Sequence, residues 1–276
     1  SLAPEAAEDA AASAREDRVE VFRFAHMPKP RASVRRGDPR EPAALARVIP
    51  PDQYPVLVQP KLDDMRLQVD KRGRDVRAWS EGGHRVDLEH LAPTVYAEIQ
   101  GMDKKEFAVD AGAQIFLRGK PLGRSEVAGY LQGREFDPEY DRGMRITAHD
   151  LLALDELDVH KRPAYNAYTG LLTVGETRHF HIVDSFEAKD AEDMLRRVET
   201  VRSMPGSEGA VVKTGDAPYS IAGGVSRSWW KFRNEADLWA LIVAKTPVEG
   251  ARAAWNYVGA VPGGPGGRLV PLGRTF

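Results

Sequence analysis

The strongest constraint on the fold is a pair of alternating segments that follow a single lysine, Lys61. The segment "VLVQPKL" (56–62) is an apolar run with this lysine near its end. After it, "DMRLQVD" alternates apolar and polar residues with a period of two, "KRGR" supplies a glycine turn, and "DVRAWS" resumes the alternation. Such alternation is typical of half-buried β-strands, and a short glycine-containing link is typical of a hairpin. The sequence therefore predicts that Lys61 precedes a β-hairpin.

Short strands and helices alternate from there to about Asn234, with no internal repeat. "PTVYAEIQG" predicts a short helix, "EFAVDAGAQIF" a strand pair or a bent strand, and "MRITAHDLL" another strand. "AEDMLRRVETVRSM" predicts a helix with apolar residues on one side, and "GAVVK" and "SRSWWKFRN" predict two later strands. This pattern favours one α+β domain over residues 18–235, with antiparallel sheets and flanking helices.

The two ends of the chain differ from this central domain. Residues 1–17 are acidic and alanine-rich, so we expect a flexible leader without chemistry, and "RVEVFRF" after it predicts a strand. Beyond residue 235, "DLWALIVAKTP" and "AAWNYVGAVPGGPGGRLVPLGRTF" indicate the first strands and a Gly/Pro loop of a small β-barrel. Because the sequence stops before such a barrel could close, we expect residues 236–276 to be the start of a truncated second domain.

Composition narrows the possible chemistry. The 276 residues include no cysteine, which excludes disulfides, thiol nucleophiles and cysteine-ligated zinc. Apolar runs are too short to span a membrane and the first residues do not resemble a secretion signal, so we expect a cytoplasmic protein without a membrane partner. The formal net charge of −2 does not by itself indicate nucleic-acid binding. The sequence makes no prediction of oligomeric state.

Single residues carry little information here. A lysine at the end of a buried strand is uncommon, because its ammonium must be paired, solvated or neutralised, yet Lys61 alone is most simply a structural residue. Glu208, next to a glycine, is by itself most simply a solvated turn carboxylate. Lys231 and Arg233 share one face of a strand because alternate residues point the same way. The order of these residues along the chain is more informative.

That order resembles a known family. Lys61, Asp63 and Arg66 form a Lys-x-Asp-x-x-Arg pattern, followed by a strand with Asp110, a strand ending in "HDLL", then "EGAVVK" and "WWKFR". The pattern, over residues 56–233, resembles the ATP-dependent DNA ligases of the covalent nucleotidyltransferase superfamily, which also holds RNA ligases and mRNA capping enzymes. The tail resembles the start of the family's OB-fold domain. The resemblance implies an α+β, ATP-grasp-like nucleotidyltransferase domain.

The resemblance also implies an activity and its partners. It implies an ATP-dependent DNA ligase of DNA repair or replication, with ATP as the nucleotide, Mg²⁺ or Mn²⁺ as the metal, and nicked or broken double-stranded DNA as the substrate. NAD-dependent ligases are disfavoured, because they carry a four-cysteine zinc site and this chain has no cysteine. RNA is the alternative polynucleotide.

Individual roles follow from the same resemblance. Lys61 is expected to attack the α-phosphate of ATP and to carry AMP, with Asp63 orienting the amine or the ribose and Lys231 contacting the α-phosphate. The residues expected to bind the nucleotide are Gln59, Lys61, Arg66, Asp110, His149, Glu208, Lys213, Lys231 and Arg233. Gln59 would read the adenine edge and His149 would stack on adenine. The metal is expected at Glu208 and Asp110.

Elementary chemistry supports a cationic surrounding for the nucleophile. A lysine amine attacks phosphorus only when it is neutral, and an unperturbed ammonium is almost wholly protonated at neutral pH. Nearby cations favour the neutral amine, and Lys213, Lys231 and Arg233 would provide them while also binding the triphosphate.

Three positions depart from the family pattern. Asp64 stands where the family has glycine, Gly112 where related sequences carry a glutamate that helps to hold ribose or metal, and Glu81 where nick-sealing ligases often have an arginine that meets DNA. We interpret these as drift within a divergent branch, with activity possible but weakened. On this view, Gly112→Glu should strengthen metal dependence or nucleotide binding.

Two other functions are compatible with the same residues. One is an RNA ligase or a capping-type nucleotidyltransferase, which a comparison of ATP with GTP labelling would test. The other is a non-catalytic repair accessory that binds DNA ends, motivated by Asp64, Glu81 and Gly112. Such an accessory would form no covalent adenylate.

Overall fold

The computed structural model describes residues 29–32, 49–133, 135–155, 157–159, 162–216, 218–219, 225–233, 241–247, 255–262 and 269–275. The predicted acidic leader and the strand predicted for "RVEVFRF" lie outside these residues. The chain divides into two compact units, Ser1–Asn234 and Glu235–Phe276. None of the helices in the described ranges is long and apolar enough to cross a membrane.

The described elements follow one another in a mixed order of strands and helices. The strands are β1 (Lys29–Ala32), β2 (Val56–Leu62), β3 (Met65–Arg72), β4 (Asp75–Ser80), β5 (Arg85–Val86), β6 (Glu106–Leu117), β7 (Lys120–Pro121), β8 (Met144–Leu154), β9 (Leu157–Asp158), β10 (Phe180–Ile182), β11 (Phe186–Ala188), β12 (Ser207–Thr214), β13 (Val225–Arg233), β14 (Leu241–Pro247), β15 (Trp255–Pro262) and β16 (Leu269–Thr275). The α-helices are α1 (Leu88–Leu91), α2 (Pro93–Gly101), α3 (Arg124–Gln132), α4 (Pro138–Gly143), α5 (Ala164–Leu172) and α6 (Ala191–Arg202), and Pro51–Gln53 forms a 3-10 turn.

The first unit is built on two sheets. Sheet 1 has the strand order β1-β13-β12-β2-β11, and sheet 2 has the order β10-β8-β6-β3-β4-β5, with β7 and β9 attached to β6 and β8. The pairs β1–β13 and β10–β8 are parallel, and the other pairs in both sheets are antiparallel. This arrangement confirms the predicted α+β class.

Most local predictions in this unit are confirmed. The hairpin after Lys61 is β3–β4, and its turn contains Gly73 with a φ of 56°, a backbone conformation that favours glycine. The helix predicted at 93–101 is α2, and the helix predicted at 191–204 is α6, which ends at Arg202. The segment "EFAVDAGAQIF" is one bent strand, β6, whose register against β8 shifts twice.

Sheet 1 has one apolar face and an opposite face on which basic and polar residues lie among apolar ones. Its strands alternate, and the buried apolar residues of one face pack with α6 into a core. These core residues include Val56, Val58, Ala210, Val212, Trp230 and Phe232 from the strands and Met194, Val198 and Val201 from the helix. Burial of each large apolar side chain contributes about 1.5–3 kcal/mol. The opposite face therefore carries residues with predicted functional roles, among them Lys61, Lys231 and Arg233.

The second unit contains a three-stranded antiparallel sheet with the order β14-β15-β16. The strands predicted for this region are present, and they do not form a closed barrel within the described residues.

Candidate functional site

Alternate residues of three neighbouring strands of sheet 1 form one wall of a cavity. Residues that lie directly opposite each other in antiparallel strands point to the same side of a sheet. The register across β2, β12 and β13 produces three rows, Leu57–Lys213–Trp229, Gln59–Val211–Lys231 and Lys61–Gly209–Arg233. The alternation that buries the apolar residues against α6 therefore also groups the basic residues on the other face.

The cavity has a volume of about 290 Å³ and is lined by strands of both sheets of the first unit. Every residue assigned a role from the sequence lines it: Gln59, Lys61, Asp63, Arg66, Asp110, His149, Glu208, Lys213, Lys231 and Arg233. The structure therefore brings together residues that lie up to 174 positions apart in the sequence. Their individual roles stay predictions.

Glu208 reaches Lys61 because of a β-bulge. The register between β2 and β12 shifts between Ser207 and Gly209, so Glu208 is the extra residue, and a bulge redirects a side chain. The Lys61 ammonium donates a hydrogen bond to Glu208 Oε1, and the two form an ion pair. Gly209 has a φ of 155°, and a Cβ there would lie 2.1 Å from the carbonyl oxygen of Phe232. Glycine is therefore required beside the redirected glutamate.

Arg66 and Asp110 form a buried, two-point ion pair on sheet 2. Arg66 Nε donates to Asp110 Oδ1 at 2.9 Å, and Arg66 Nη2 donates to Oδ2. Tyr219 also donates to Oδ2, at 3.1 Å. Burial alone would raise the pKa of Asp110, but the charge and hydrogen bonds of Arg66 outweigh it and lower that pKa. Both carboxylate oxygens of Asp110 thus hold protein groups, and its predicted role as a metal ligand stays a prediction.

Lys213 is paired inside the wall of the cavity. It is only 3% exposed, its ammonium donates to Asp150 Oδ2 at 2.6 Å, and it lies 4.5 Å from the centre of the Trp229 ring. Burial raises the pKa of Asp150, although Lys213 opposes this shift. Asp150 therefore balances much of the charge that Lys213 would otherwise present to a nucleotide.

A second bulge brings two consecutive residues of β8 to the cavity. The register between β6 and β8 shifts next to Asp110, and both His149 and Asp150 line the cavity. His149 Nε2 lies 2.8 Å from Asp64 Oδ2. The same carboxylate lies directly over Gly112, since a Cβ at that position would be 1.8 Å from Asp64 Oδ2.

A further ion pair lies at a more exposed part of the lining. Arg124 is the first residue of α3, and its Nη2 atom lies 3.8 Å from Glu81 Oε2. The Arg124 side chain is 57% exposed, so the pair is solvated. An arginine therefore stands beside the position at which the sequence pattern lacks one.

The sequence matches the family model described as "ATP dependent DNA ligase domain" over residues 45–233. The chain belongs to this family. The match runs from before β2 to the end of β13, so it includes every strand of the two sheets except β1, and with them every cavity residue named above. It confirms the family resemblance seen in the sequence.

Curated relatives that are named DNA ligases match this chain over part of their own length. A "Probable DNA ligase" of Beutenbergia cavernae is 29% identical over 245 residues, which cover 85% of this chain and 44% of the relative. "DNA ligase 1" of Korarchaeum cryptofilum is 27% identical over 221 residues, covering 78% of this chain and 40% of the relative. The ligase-family chain thus spans about two fifths of the length of these relatives.

Solved structures show the same fold. A mycobacterial DNA ligase D complexed with ATP and MES superposes with a TM-score of 0.57 at 19% identity, covering 91% of this chain and 72% of that one. A structure from a study of Lig E DNA ligases has a TM-score of 0.55 at 17% identity, with 79% and 77% covered. The predicted fold of a ligase-type nucleotidyltransferase domain is therefore confirmed.

Several residues that line the cavity or support it could not be predicted from the sequence. Asp150 follows His149 directly, and strict alternation would have pointed one of the two away from the cavity, so the bulge that admits both was not visible. Tyr219 gave no signal in the sequence. Arg124 follows a glycine at a helix start, which is an ordinary structural pattern. Asp64 was noted only as a departure from the family pattern.

Proposed function

We propose that this chain is the nucleotidyltransferase part of an ATP-dependent DNA ligase that seals 5′-phosphate nicks in DNA repair or replication. The observation that carries the proposal is that Lys61, Lys231 and Arg233 lie on the same wall of the cavity, which β2, β12 and β13 form. Membership of the ATP-dependent DNA ligase family supports it. The proposal keeps the cytoplasmic location expected from the sequence, where ATP and DNA are both available.

The first step would be adenylation of Lys61. The neutral amine attacks the α-phosphorus of ATP, a P–N bond forms, the P–O bond to pyrophosphate breaks, and the nitrogen gives up a proton to solvent. A hydrogen bond to a carboxylate favours the charged ammonium over the neutral amine. Glu208 must therefore release Lys61 before this step, and Asp63, close by in the cavity lining, would orient the freed amine or the ribose.

Phosphate and adenine contacts would come from the same wall. Lys231 would contact the α-phosphate as a point charge, whereas the planar fork of Arg233 suits two phosphate oxygens. Gln59 Nε2 donates to Ser185 Oγ at 2.7 Å, which fixes the side-chain amide from which we propose that the adenine edge is read. Lys213 would act through the field of its pair with Asp150 more than through direct phosphate contact.

A divalent metal fits this site through Glu208. No group of three or more His, Asp or Glu residues arranged to hold a metal occurs among the residues that the structure describes. Mg²⁺ at nucleotide sites is usually held by one or two carboxylates together with phosphate oxygens and water, for which Glu208 is suited. Mg²⁺ or Mn²⁺ would supply positive charge for the phosphates of ATP. We assign Asp110 mainly to holding Arg66.

The later steps would take place on DNA. AMP would pass from Lys61 to the 5′-phosphate at a nick, with the lysine nitrogen as the leaving group, and the 3′-hydroxyl would then attack that phosphate and release AMP. Arg124 would contact the DNA backbone in place of an arginine at position 81. We also propose that the sheet β14–β16 is the start of an OB-fold domain.

The test is covalent labelling with ATP that carries radioactive phosphorus in the α-position, followed by a denaturing gel. We expect a labelled band for the unaltered chain and none for Lys61→Ala. Lys120→Ala is the matched control, because Lys120 is an exposed lysine of β7 outside the cavity. Its label should be unchanged.

The same assay separates the alternative functions. Labelling by GTP in preference to ATP would favour a capping-type enzyme, and no label with either would favour a non-catalytic accessory. A label that persists in Lys61→Ala would show that another lysine is the nucleophile. Sealing of nicked DNA against nicked RNA then distinguishes the polynucleotide.

A further inference from the structure

Two of the departures from the family pattern, at Asp64 and Gly112, concern the same volume of space. A Cβ at position 112 would lie 1.8 Å from Oδ2, 2.2 Å from Cγ and 2.8 Å from Cβ of Asp64. Non-bonded atoms do not approach so closely, so a side chain at position 112 and the observed Asp64 side chain exclude each other. The glycine lost at 64 and the glycine gained at 112 are therefore one coupled change.

The Asp64 carboxylate is held in place from two sides. It lies in the link between β2 and β3, three residues after Lys61, and packs over the bare backbone of Gly112 on β6. His149 on β8 contacts its Oδ2 atom at 2.8 Å. The Asp64 side chain is 14% exposed and lines the cavity. His149 engages Oδ2, and none of the residues that the structure describes donates a hydrogen bond to Oδ1, so Oδ1 can accept one from a ligand.

We propose that Asp64 binds the ribose of the nucleotide by accepting a hydrogen bond from a ribose hydroxyl, and that His149 is a positioning residue that holds this carboxylate. The inference rests on the proposed function, because it takes the cavity to be the ATP site. A ribose hydroxyl is a hydrogen-bond donor, which suits the remaining carboxylate oxygen. In this chain the ribose-binding carboxylate thus comes from Asp64 in the β2–β3 link, whereas related sequences supply it from a glutamate at position 112.

This geometry changes the expectation for Gly112→Glu. A glutamate added at 112 while Asp64 remains would displace Asp64 from His149, so the single change should impair nucleotide binding. Gly112→Ala should act in the same way, because its Cβ alone occupies the place of the Asp64 carboxylate. The double variant Asp64→Gly/Gly112→Glu restores the family arrangement and should bind well.

The test is the affinity for α,β-methylene-ATP and for its 2′-deoxy and 3′-deoxy forms, measured by isothermal titration calorimetry. These analogues cannot adenylate Lys61, so binding is measured without the reaction. For the unaltered chain we expect one missing hydroxyl to weaken binding roughly 10-fold, as for a lost hydrogen bond to a charged group. Asp64→Gly and Gly112→Ala should bind the full and deoxy analogues equally, and the double variant should regain the discrimination.

Matched controls isolate the geometry. Gly101→Ala makes the same chemical change where a Cβ would meet nothing within 4 Å, so its discrimination should equal that of the unaltered chain. His149→Gln keeps a donor near Asp64 and should retain more discrimination than His149→Ala. Thermal melting should show that any loss of stability in Gly112→Ala is relieved by adding Asp64→Gly.

The outcomes separate this inference from the proposed function. If the unaltered chain does not bind the ATP analogue, both fail together. If it binds, but Asp64→Gly or Gly112→Ala keeps full discrimination between the hydroxyl and deoxy forms, the role of Asp64 is overturned while the ligase proposal stands.

Discussion

The buried pair of Lys213 and Asp150 offers a quantitative test of the site. The two side chains are 4% and 10% exposed, and their charged atoms lie 2.6 Å apart. Removing one member of a buried ion pair costs about 3–5 kcal/mol, because the other charge stays buried without a partner. We therefore expect Lys213→Met and Asp150→Asn each to lower the free energy of unfolding by about 3–5 kcal/mol.

The double variant should be less destabilised than the two single losses together. When both charges are gone, no buried charge is left unpaired, so we expect a coupling of about 2–3 kcal/mol between the two positions. The loss caused by Lys213→Met should also shrink at pH 5 compared with pH 8. Burial already raises the pKa of Asp150, and an unpaired Asp150 is neutralised by protonation as the pH falls.

Urea unfolding followed by tryptophan fluorescence is a suitable assay, because Trp229 and Trp230 lie on the strand next to Lys213. Lys71→Met is the matched control, since this buried lysine donates to the backbone carbonyls of Met102 and Lys104 and has no carboxylate in those contacts. Its cost should not depend on Asp150. Additive losses in the double variant would refute the pairing argument. A stable Lys213→Met that cannot bind ATP would mean that the lysine charge serves the nucleotide directly.

Two further predictions concern the rest of the ligase domain. Burial raises the pKa of Asp70 to about 7, so the folded state favours the protonated acid and stability falls as the pH rises from about 4 to 7. Asp70→Asn should therefore raise stability by up to about 4 kcal/mol at pH 8 and by less at pH 5, and equal shifts in melting temperature at both pH values would contradict this. For the unaltered chain, we expect a slope of about two to four when the logarithm of the affinity for nicked DNA is plotted against the logarithm of the salt concentration. Arg124→Ala should reduce this slope by about one unit. Arg142→Ala, at an exposed arginine, should leave it unchanged. Equal slopes for both variants, measured by fluorescence anisotropy, would remove Arg124 from the interface.

The predictable part of the fold is the part that depends on local alternation. The β3–β4 hairpin is encoded by period-two patterns and a glycine turn, the strand bearing Lys61 by a short apolar run, and α6 by a one-sided apolar pattern. The alternation in β13 also predicts that Lys231 and Arg233 share one face, whereas their grouping with Lys61 depends on the pairing of β2, β12 and β13 and was expected only from the family resemblance.

The unpredicted part depends on pairing between distant strands. The bulges that redirect Glu208 and admit both His149 and Asp150 arise from register shifts, which no local pattern in either strand reveals. The collision between Asp64 and Gly112 is of the same kind, because the two residues are 48 positions apart and meet only after β3 pairs with β6. Read separately, the two positions indicated weakened activity, whereas together they indicate a relocated carboxylate.

Burial divides the charge pairs of the cavity into two groups with different uses. Six lysine and arginine side chains and six aspartate and glutamate side chains line the cavity, so its formal charge is balanced. In the Arg66–Asp110 and Lys213–Asp150 pairs each carboxylate is at most 10% exposed, and separating such pairs costs about 3–5 kcal/mol. Lys61 and Glu208 are 20% and 34% exposed, and solvated pairs are worth only about 0–1 kcal/mol. The buried pairs are therefore suited to a fixed framework. The proposed adenylation of Lys61 requires the Lys61–Glu208 pair to separate, and this is the pair that water and an incoming triphosphate can replace at the lowest cost in free energy.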